Sequence, residues 1–174
     1  MDSNSQKYMK EALRLSLKAK GLTSPNHLVG AVVVKNNRII STGFHKKAGS
    51  DHAEATALKK AGAKASGAAL YLTLEPCSSF GRTPPCVQAI IKSGIKKVVI
   101  GMIDPNPRHR ARAIKILKSN GIKVKAGVLA GEIRMVNQPF IKYITTDLPY
   151  ITVKSAQSLD GKIATRSGDS KWIT

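Results

Sequence analysis

The 174-residue chain is expected to fold as an α/β layer structure, a mixed sheet with helices on both faces in three layers. Three observations carry that expectation. Residues 28–34 and 39–44 are apolar, β-branched runs joined by Lys35-Asn36-Asn37-Arg38, and asparagine tolerates the left-handed backbone that a tight hairpin needs. Residues 69–74, an apolar run, and residues 97–102 and 122–129 read as three further strands, separated from one another by segments of helical period. A hairpin makes its strands antiparallel, whereas helical crossovers make later strands parallel, so the sheet is mixed.

Each element has its own warrant. Residues 3–20 place Tyr8, Met9, Ala12, Leu13, Ser16 and Leu17 on one face of an amphipathic helix. Ser3 and Gln6 stand at capping-box spacing, and Gly21 stops the helix. Residues 51–61 read as the second helix, ended by Gly62. Pro84-Pro85 suits the first turn of a third helix, which runs to Ser93 before Gly94. Residues 108–120 form a basic amphipathic helix carrying Ala113, Ile114 and Leu117, with Gly121 after it, and residues 130–143 a last helix. Residues 1–145 make one domain and 146–149 a linker. Residues 150–174 begin a second unit, with an apolar strand at 150–153, but a segment this short cannot bury a core of its own. Its unpaired first strand is expected to be mobile or docked on a neighbour.

Composition narrows the classes of function. No apolar run reaches membrane-spanning length, and the polar N-terminus lacks the apolar stretch of an export signal, so a cytoplasmic location without membrane contact is expected. Two cysteines in a reducing compartment suit metal ligation or free thiols better than a disulfide. The formal charge of +19 invites a nucleic-acid partner. The basic residues are dispersed and stacking aromatics are few, which favours a solvated lysine-rich surface instead. Asp51, Glu54, Glu75 and Asp104 are four of only ten acidic residues, and all four stand in or beside the motifs that follow.

Those motifs are His52-Ala53-Glu54, Leu74-Glu75-Pro76-Cys77 and Pro84-Pro85-Cys86. Neutral imidazole and thiolate bind zinc, and three protein ligands leave a fourth position open for catalysis. His52 and Cys86 stand at predicted helix starts and Cys77 at a strand end, and the partial positive charge of a helix start favours thiolate. One Zn2+ held by His52, Cys77 and Cys86 is therefore expected. Glu54 has two readings. Asp51 and Glu54 have the spacing of a helix cap, whereas the nearby cysteines favour Glu54 as the proton carrier between an attacking water and the departing amine. Arg82 and Thr83, just before a helix start, suit a phosphate by charge, hydroxyl and free N–H groups, and equally suit a solvated turn.

The chain resembles the deaminase domain of the bifunctional riboflavin-biosynthesis deaminase/reductase family. The resemblance rests on Pro25-Asn26, Val29-Gly30-Ala31-Val32, Gly43-Phe44-His45 with Ala48-Gly49, His52-Ala53-Glu54, Thr73-Leu74-Glu75-Pro76-Cys77-Ser78, Gly81-Arg82-Thr83-Pro84-Pro85-Cys86 and Asp104-Pro105-Asn106-Pro107. It covers nearly the whole chain, and the nine-residue step from Cys77 to Cys86 separates this branch from deaminases with Cys-x-x-Cys. His27 stands where the family usually has proline, Ser79 where it has histidine, and Ala111 and Ala113 where glycines are common.

The resemblance implies a cytidine-deaminase-like fold and zinc-dependent hydrolytic deamination of 2,5-diamino-6-ribosylamino-4(3H)-pyrimidinone 5′-phosphate to the aminouracil and ammonia. By matched position it implies that Glu54 is catalytic, that His52, Cys77 and Cys86 bind zinc, and that Asn26 and His45 contact the pyrimidine or its ribosyl end. Arg82, Thr83, Asp104 and Asn106 would line the ribose-phosphate end. Residues 150–174 resemble the start of the family's reductase domain, with Lys154, Ala156, Ser170 and Trp172 at NADP or substrate positions. On that reading the chain is a truncated or split form that deaminates without reducing, NADP belongs only to a full-length form, and a separate reductase chain is a possible partner. A homo-oligomer is expected. Two other readings stay open: a base deaminase acting on nucleosides or nucleic acid, and a zinc-binding remnant without catalysis.

Overall fold

The computed structural model describes residues 3–80, 85–107 and 109–171. Its elements run in the order α1 (Ser3–Ser16), a 3-10 turn (Leu17–Ala19), β1 (Gly30–Lys35), β2 (Arg38–Phe44), α2 (Ala53–Ala61), a 3-10 turn (Gly62–Ala65), β3 (Ala69–Leu74), α3 (Cys86–Lys92), β4 (Lys97–Met102), α4 (Arg112–Ser119), β5 (Lys123–Ala126), α5 (Ala130–Val136) and α6 (Gln138–Thr146). The five strands lie in the order β2-β1-β3-β4-β5. β1 pairs antiparallel with β2 and β3, while β3–β4 and β4–β5 are parallel. The expected mixed α/β sheet is the one observed.

Pleat and glycine placement show how the layers close. β1 is buried on both faces, with Ala31, Val32 and Val33 fully withdrawn from solvent, as a strand covered on each side must be. A side chain at Gly30 would collide with the α1 backbone at Ala12, and one at Gly43 with the α2 backbone at Ala53. Gly43 pairs with Ala31, the neighbour of Gly30, so these two contacts lie on opposite faces. α1 and α5 cover one face: α1 over Gly30, and Ile133 of α5 against Gly101. α2 covers the other and packs on α3, which packs in turn on α4. The hairpin turns at Asn36 and Asn37 with φ of 51° and 57°, the left-handed pair expected of its sequence.

Four expectations need correction. Residues 130–143 are not one helix. Asn137 breaks them, with its buried side chain accepting from the Leu28 N–H at 2.8 Å and donating to the Leu28 and Ile133 carbonyls. Pro139 then opens α6, having no N–H to continue the earlier ladder. Pro85 caps α3 rather than lying in its first turn, which starts at Cys86; Pro84 lies outside the described residues. The helix expected from residue 108 starts at Arg112, after a turn in which Ala111 takes a φ of 59°. Last, residues 150–153 form no strand: Ile151 and Val153 are 78% and 86% exposed. A strand needs a ladder partner, and among the described residues this segment's side-chain link to the domain is Tyr150 Oη donating to Gln138 at 2.7 Å. No helix among the described residues is long and apolar enough to cross a membrane.

The close approach of α2 to β2 makes a prediction. Gly43→Ala puts a methyl group 2.2 Å from the Ala53 carbonyl oxygen, so α2 must move, at a cost of roughly 1–3 kcal/mol. The variant is expected to melt below the wild type, and a melting temperature equal to wild type refutes this account of the packing.

Candidate active site

Three segments meet at the carboxyl end of β3, where its neighbours change from antiparallel to parallel. Open α/β sheets bind ligands at such a switch. His52 is the N-cap residue of α2 in extended conformation, with its own carbonyl accepting from Thr56 at 3.0 Å. Its ring is left free to face the β3 end. Cys77 follows β3, and Cys86 is the first helical residue of α3. The Cys86 N–H, one of the unpaired donors of a helix start, points at Cys77 Sγ from 3.2 Å.

His52 Nδ1 lies 3.7 Å from Cys77 Sγ and 3.2 Å from Cys86 Sγ, and the three ligand atoms lie within 4.8 Å of one another. A tetrahedral zinc with ordinary Zn–S and Zn–N bonds needs an N···S separation of about 3.6 Å. The donor set therefore fits zinc in kind and in spacing. Its proton chemistry agrees. The neighbouring Cys86 thiol, then His52 and the Cys86 N–H, draw Cys77 down to about 4. The same pairing, together with burial, pushes Cys86 up, and the bond to Cys77 raises His52. The two sulfurs and the imidazole share protons among themselves, and a cation at their centre would replace those protons.

Beside this cluster is a small cavity, about 30 Å³, lined by Asn26, His27, Val29, His45, His52, Ala53, Glu54, Leu74 and Glu75. Glu54 is only 4% exposed. Burial raises its carboxyl above the ordinary carboxylate value, against a smaller lowering by its own backbone N–H and by His52. The capping reading is not realised, because the Asp51 carboxylate takes Lys59 at 2.6 Å and makes no side-chain cap. Asn26 and His45 reach the same cavity but are tied together, Asn26 Nδ2 to His45 Nε2 at 3.2 Å. His45 Nδ1 faces the Asp51 carbonyl at 3.2 Å, so the ring is a neutral Nδ1–H tautomer that accepts from Asn26. Burial lowers its pKa in the same sense.

Asp104 and Asn106 lie in the neighbouring loop after β4. Asn106 N–H donates to Asp104 Oδ1 at 2.8 Å, and burial raises the Asp104 carboxyl. Ser79, between the cysteines, is 3.5 Å from His109 of this loop. Arg82 and Thr83, expected at the phosphate, lie outside the described residues, as does Trp172. Lys154 and Ser170 are exposed and Ala156 is partly buried, and none of the three lines the cavity.

Glu75 is the residue whose role sequence reasoning missed. It is 4% exposed, and its carboxylate accepts from the N–H groups of Asp104 at 3.1 Å, Ala111 at 3.0 Å and Ala113 at 3.1 Å. Its presence in a motif was the available signal. Its partners are backbone groups, which no sequence pattern marks.

Two predictions follow from these two carboxyls. Glu75→Ala leaves three N–H groups without their acceptor, at a cost of about 3 kcal/mol or more, and denaturant unfolding is expected to show that loss. An unchanged midpoint counts against the role. For Glu54, a folded pKa above the unfolded value means that the fold favours the protonated acid. Stability is then full below the ordinary value of 4.5 and declines as pH rises through the raised one. Metal-free Glu54→Gln is expected to melt above wild type at neutral pH, with the gap closing below 4.5. A gap that grows in acid contradicts it.

Comparison with known proteins places this geometry in context. Residues 2–102 match the cytidine and deoxycytidylate deaminase zinc-binding region, and residues 149–174 the RibD C-terminal domain. The chain is 57% identical over 167 residues to riboflavin biosynthesis protein RibD of Aquifex aeolicus, covering 96% of this chain and 47% of the relative. It is 51% identical over 142 residues to a diaminohydroxyphosphoribosylamino-pyrimidine deaminase of Buchnera aphidicola, covering 82% of this chain and 97% of the relative. The crystal structure of a diaminohydroxyphosphoribosylaminopyrimidine deaminase/5-amino-6-(5-phosphoribosylamino)uracil reductase from Thermotoga maritima superposes with a TM-score of 0.93 at 47% identity, over 98% of this chain and 50% of that one. The chain thus spans about half the length of the longer relatives it matches.

Proposed function

This chain belongs to the cytidine and deoxycytidylate deaminase zinc-binding family, in its riboflavin-biosynthesis branch, and from that premise we propose that it hydrolytically deaminates 2,5-diamino-6-ribosylamino-4(3H)-pyrimidinone 5′-phosphate. The observation that carries the reading is a His52/Cys77/Cys86 cluster of zinc-binding type beside a cavity that contains a buried glutamate. His52, Cys77 and Cys86 hold one zinc ion. Bound there, zinc supplies the Lewis acidity that makes a water nucleophilic near neutral pH. Glu54 takes one proton of the attacking water and passes it to a ring nitrogen, then carries the remaining hydroxyl proton to the departing amine, so that the water oxygen stays as the carbonyl and the amino group leaves as ammonia.

Burial suits Glu54 to both directions of transfer, because a raised carboxyl pKa brings it nearer to working pH. Asn26 orients the pyrimidine, and His45 holds Asn26 in place through the bond between them. Asp104 and Asn106, in the loop fixed by Glu75, receive the ribose-phosphate end together with Arg82 and Thr83. Residues 1–145 form the deaminase domain. Residues 150–174, which match the RibD C-terminal domain, are the start of the reductase domain, and Lys154, Ala156, Ser170 and Trp172 are its NADP-side positions. The protein works as a homo-oligomer in the cytoplasm.

The test is ammonia release from the diaminopyrimidine phosphate by zinc-loaded protein, with cytidine and RNA as competing substrates. Turnover is expected with the first alone. Glu54→Gln is expected to keep its zinc and lose roughly 10²–10⁴-fold in kcat. Protein that purifies without zinc, or a Glu54→Gln rate equal to wild type, overturns the mechanism.

A further inference from the structure

His27 stands in the short segment between Asn26 and β1, and that segment is held firmly. Asn26 N–H donates to the Thr23 carbonyl at 2.7 Å, and both backbone groups of Leu28 are bonded to the Asn137 side chain. The His27 ring packs on Phe140 of α6 with centroids 4.5 Å apart. It also lines the cavity beside Asn26, His45 and Glu54. Yet its Nδ1 is sealed from solvent with no hydrogen-bond partner, the only side-chain atom in that condition among the described residues.

Buried polar atoms are nearly always bonded, and leaving one without a partner costs about 1–3 kcal/mol. An imidazole serving only to pack on Phe140 would do as well as phenylalanine without that cost. Nothing on the protein side offers Nδ1 a partner, whereas the cavity that His27 lines is where the proposed substrate enters. We propose that His27 is a substrate-recognition residue, its imidazole hydrogen-bonding an uncharged polar group on the pyrimidine ring. This rests on the deaminase reading above and adds a specificity contact to it.

The electrostatics select the kind of partner. Burial, reinforced by the nearby rings of His45 and His52, lowers the His27 pKa to about 3. The ring is neutral at any working pH, so it recognises by hydrogen bond rather than by charge, which suits an amino or carbonyl group of a heterocycle and not a phosphate. Nδ1 is closed to solvent in the free protein, so the ring turns its nitrogen into the cavity as the site fills, and the idle atom gains its partner there.

The test uses the zinc-loaded full chain. His27→Phe keeps the contact with Phe140 and removes both nitrogens, while His27→Asn keeps a polar atom close to the position of Nδ1. His27→Phe is expected to lower kcat/KM for the diaminopyrimidine phosphate about tenfold, mainly through KM. His27→Asn should recover part of that loss. Without substrate, His27→Phe should melt no lower than wild type, since it removes an unsatisfied group. A KM equal to wild type in His27→Phe, or a loss explained by a lower melting temperature, overturns the inference. Nitrogen NMR of the His27 imidazole separates this from the reading it rests on. If wild type releases no ammonia but the Nδ1 signal moves when cytidine is added, the substrate assignment fails and His27 stands as a pyrimidine contact. A signal unmoved by both compounds overturns the inference.

Discussion

The carboxylate of Glu75, at the end of β3, gathers three backbone N–H groups from residues 29 to 38 positions further along the chain. It ties the end of one parallel strand to the loop after the next and to the start of α4. Glu75 N–H meanwhile donates to the Met102 carbonyl at 2.9 Å, carrying the strand pairing one step past β3. Cys77 follows two residues later, and Asp104 lies in the loop that Glu75 restrains. The cluster and the neighbouring loop therefore share one anchor. Such an acceptor must be a carboxylate, because a neutral amide offers one oxygen where three donors converge.

Around that anchor, several groups are held in states that do not favour the fold. Glu54 is buried with its acid form preferred, two thiols lie close enough to compete for protons, and the His27 nitrogen has no partner. Each is a local cost of the kind that the proposed ion and substrate would relieve, which is the usual form of the exchange between stability and activity. Four of the ten acidic residues of this strongly basic chain are used in this region: Glu54 and Glu75 in the cavity wall, Asp104 beside them, and Asp51 paired with Lys59 at the edge of α2.

Much of the fold was legible. The bounds of β3 and β4 were readable because unbroken apolar runs between glycines and polar turns leave a buried strand as the simple solution. Asn36-Asn37 marked the hairpin through its tolerance of positive φ. The errors share a cause. Residues 130–143 keep a helical period, but Asn137 is needed by the backbone of Leu28, 109 residues earlier. Residues 150–153 have strand composition, but a strand also needs a neighbouring edge. Composition records what a segment favours, not what lies beside it.

The same division holds at the site. Residue types and spacing alone pointed to zinc and a proton carrier, because imidazole, thiolate and carboxylate have chemistry that belongs to the side chain wherever it stands. Only the tertiary structure decided that His45 accepts from Asn26, that Asp51 turns to Lys59 instead of capping α2, and that Glu75 is an anchor. It alone decided that His27 carries a nitrogen without a partner. Those roles depend on backbone N–H and C=O groups and on solvent access. Nearly every residue carries the same backbone groups, so a sequence cannot mark which of them will be close.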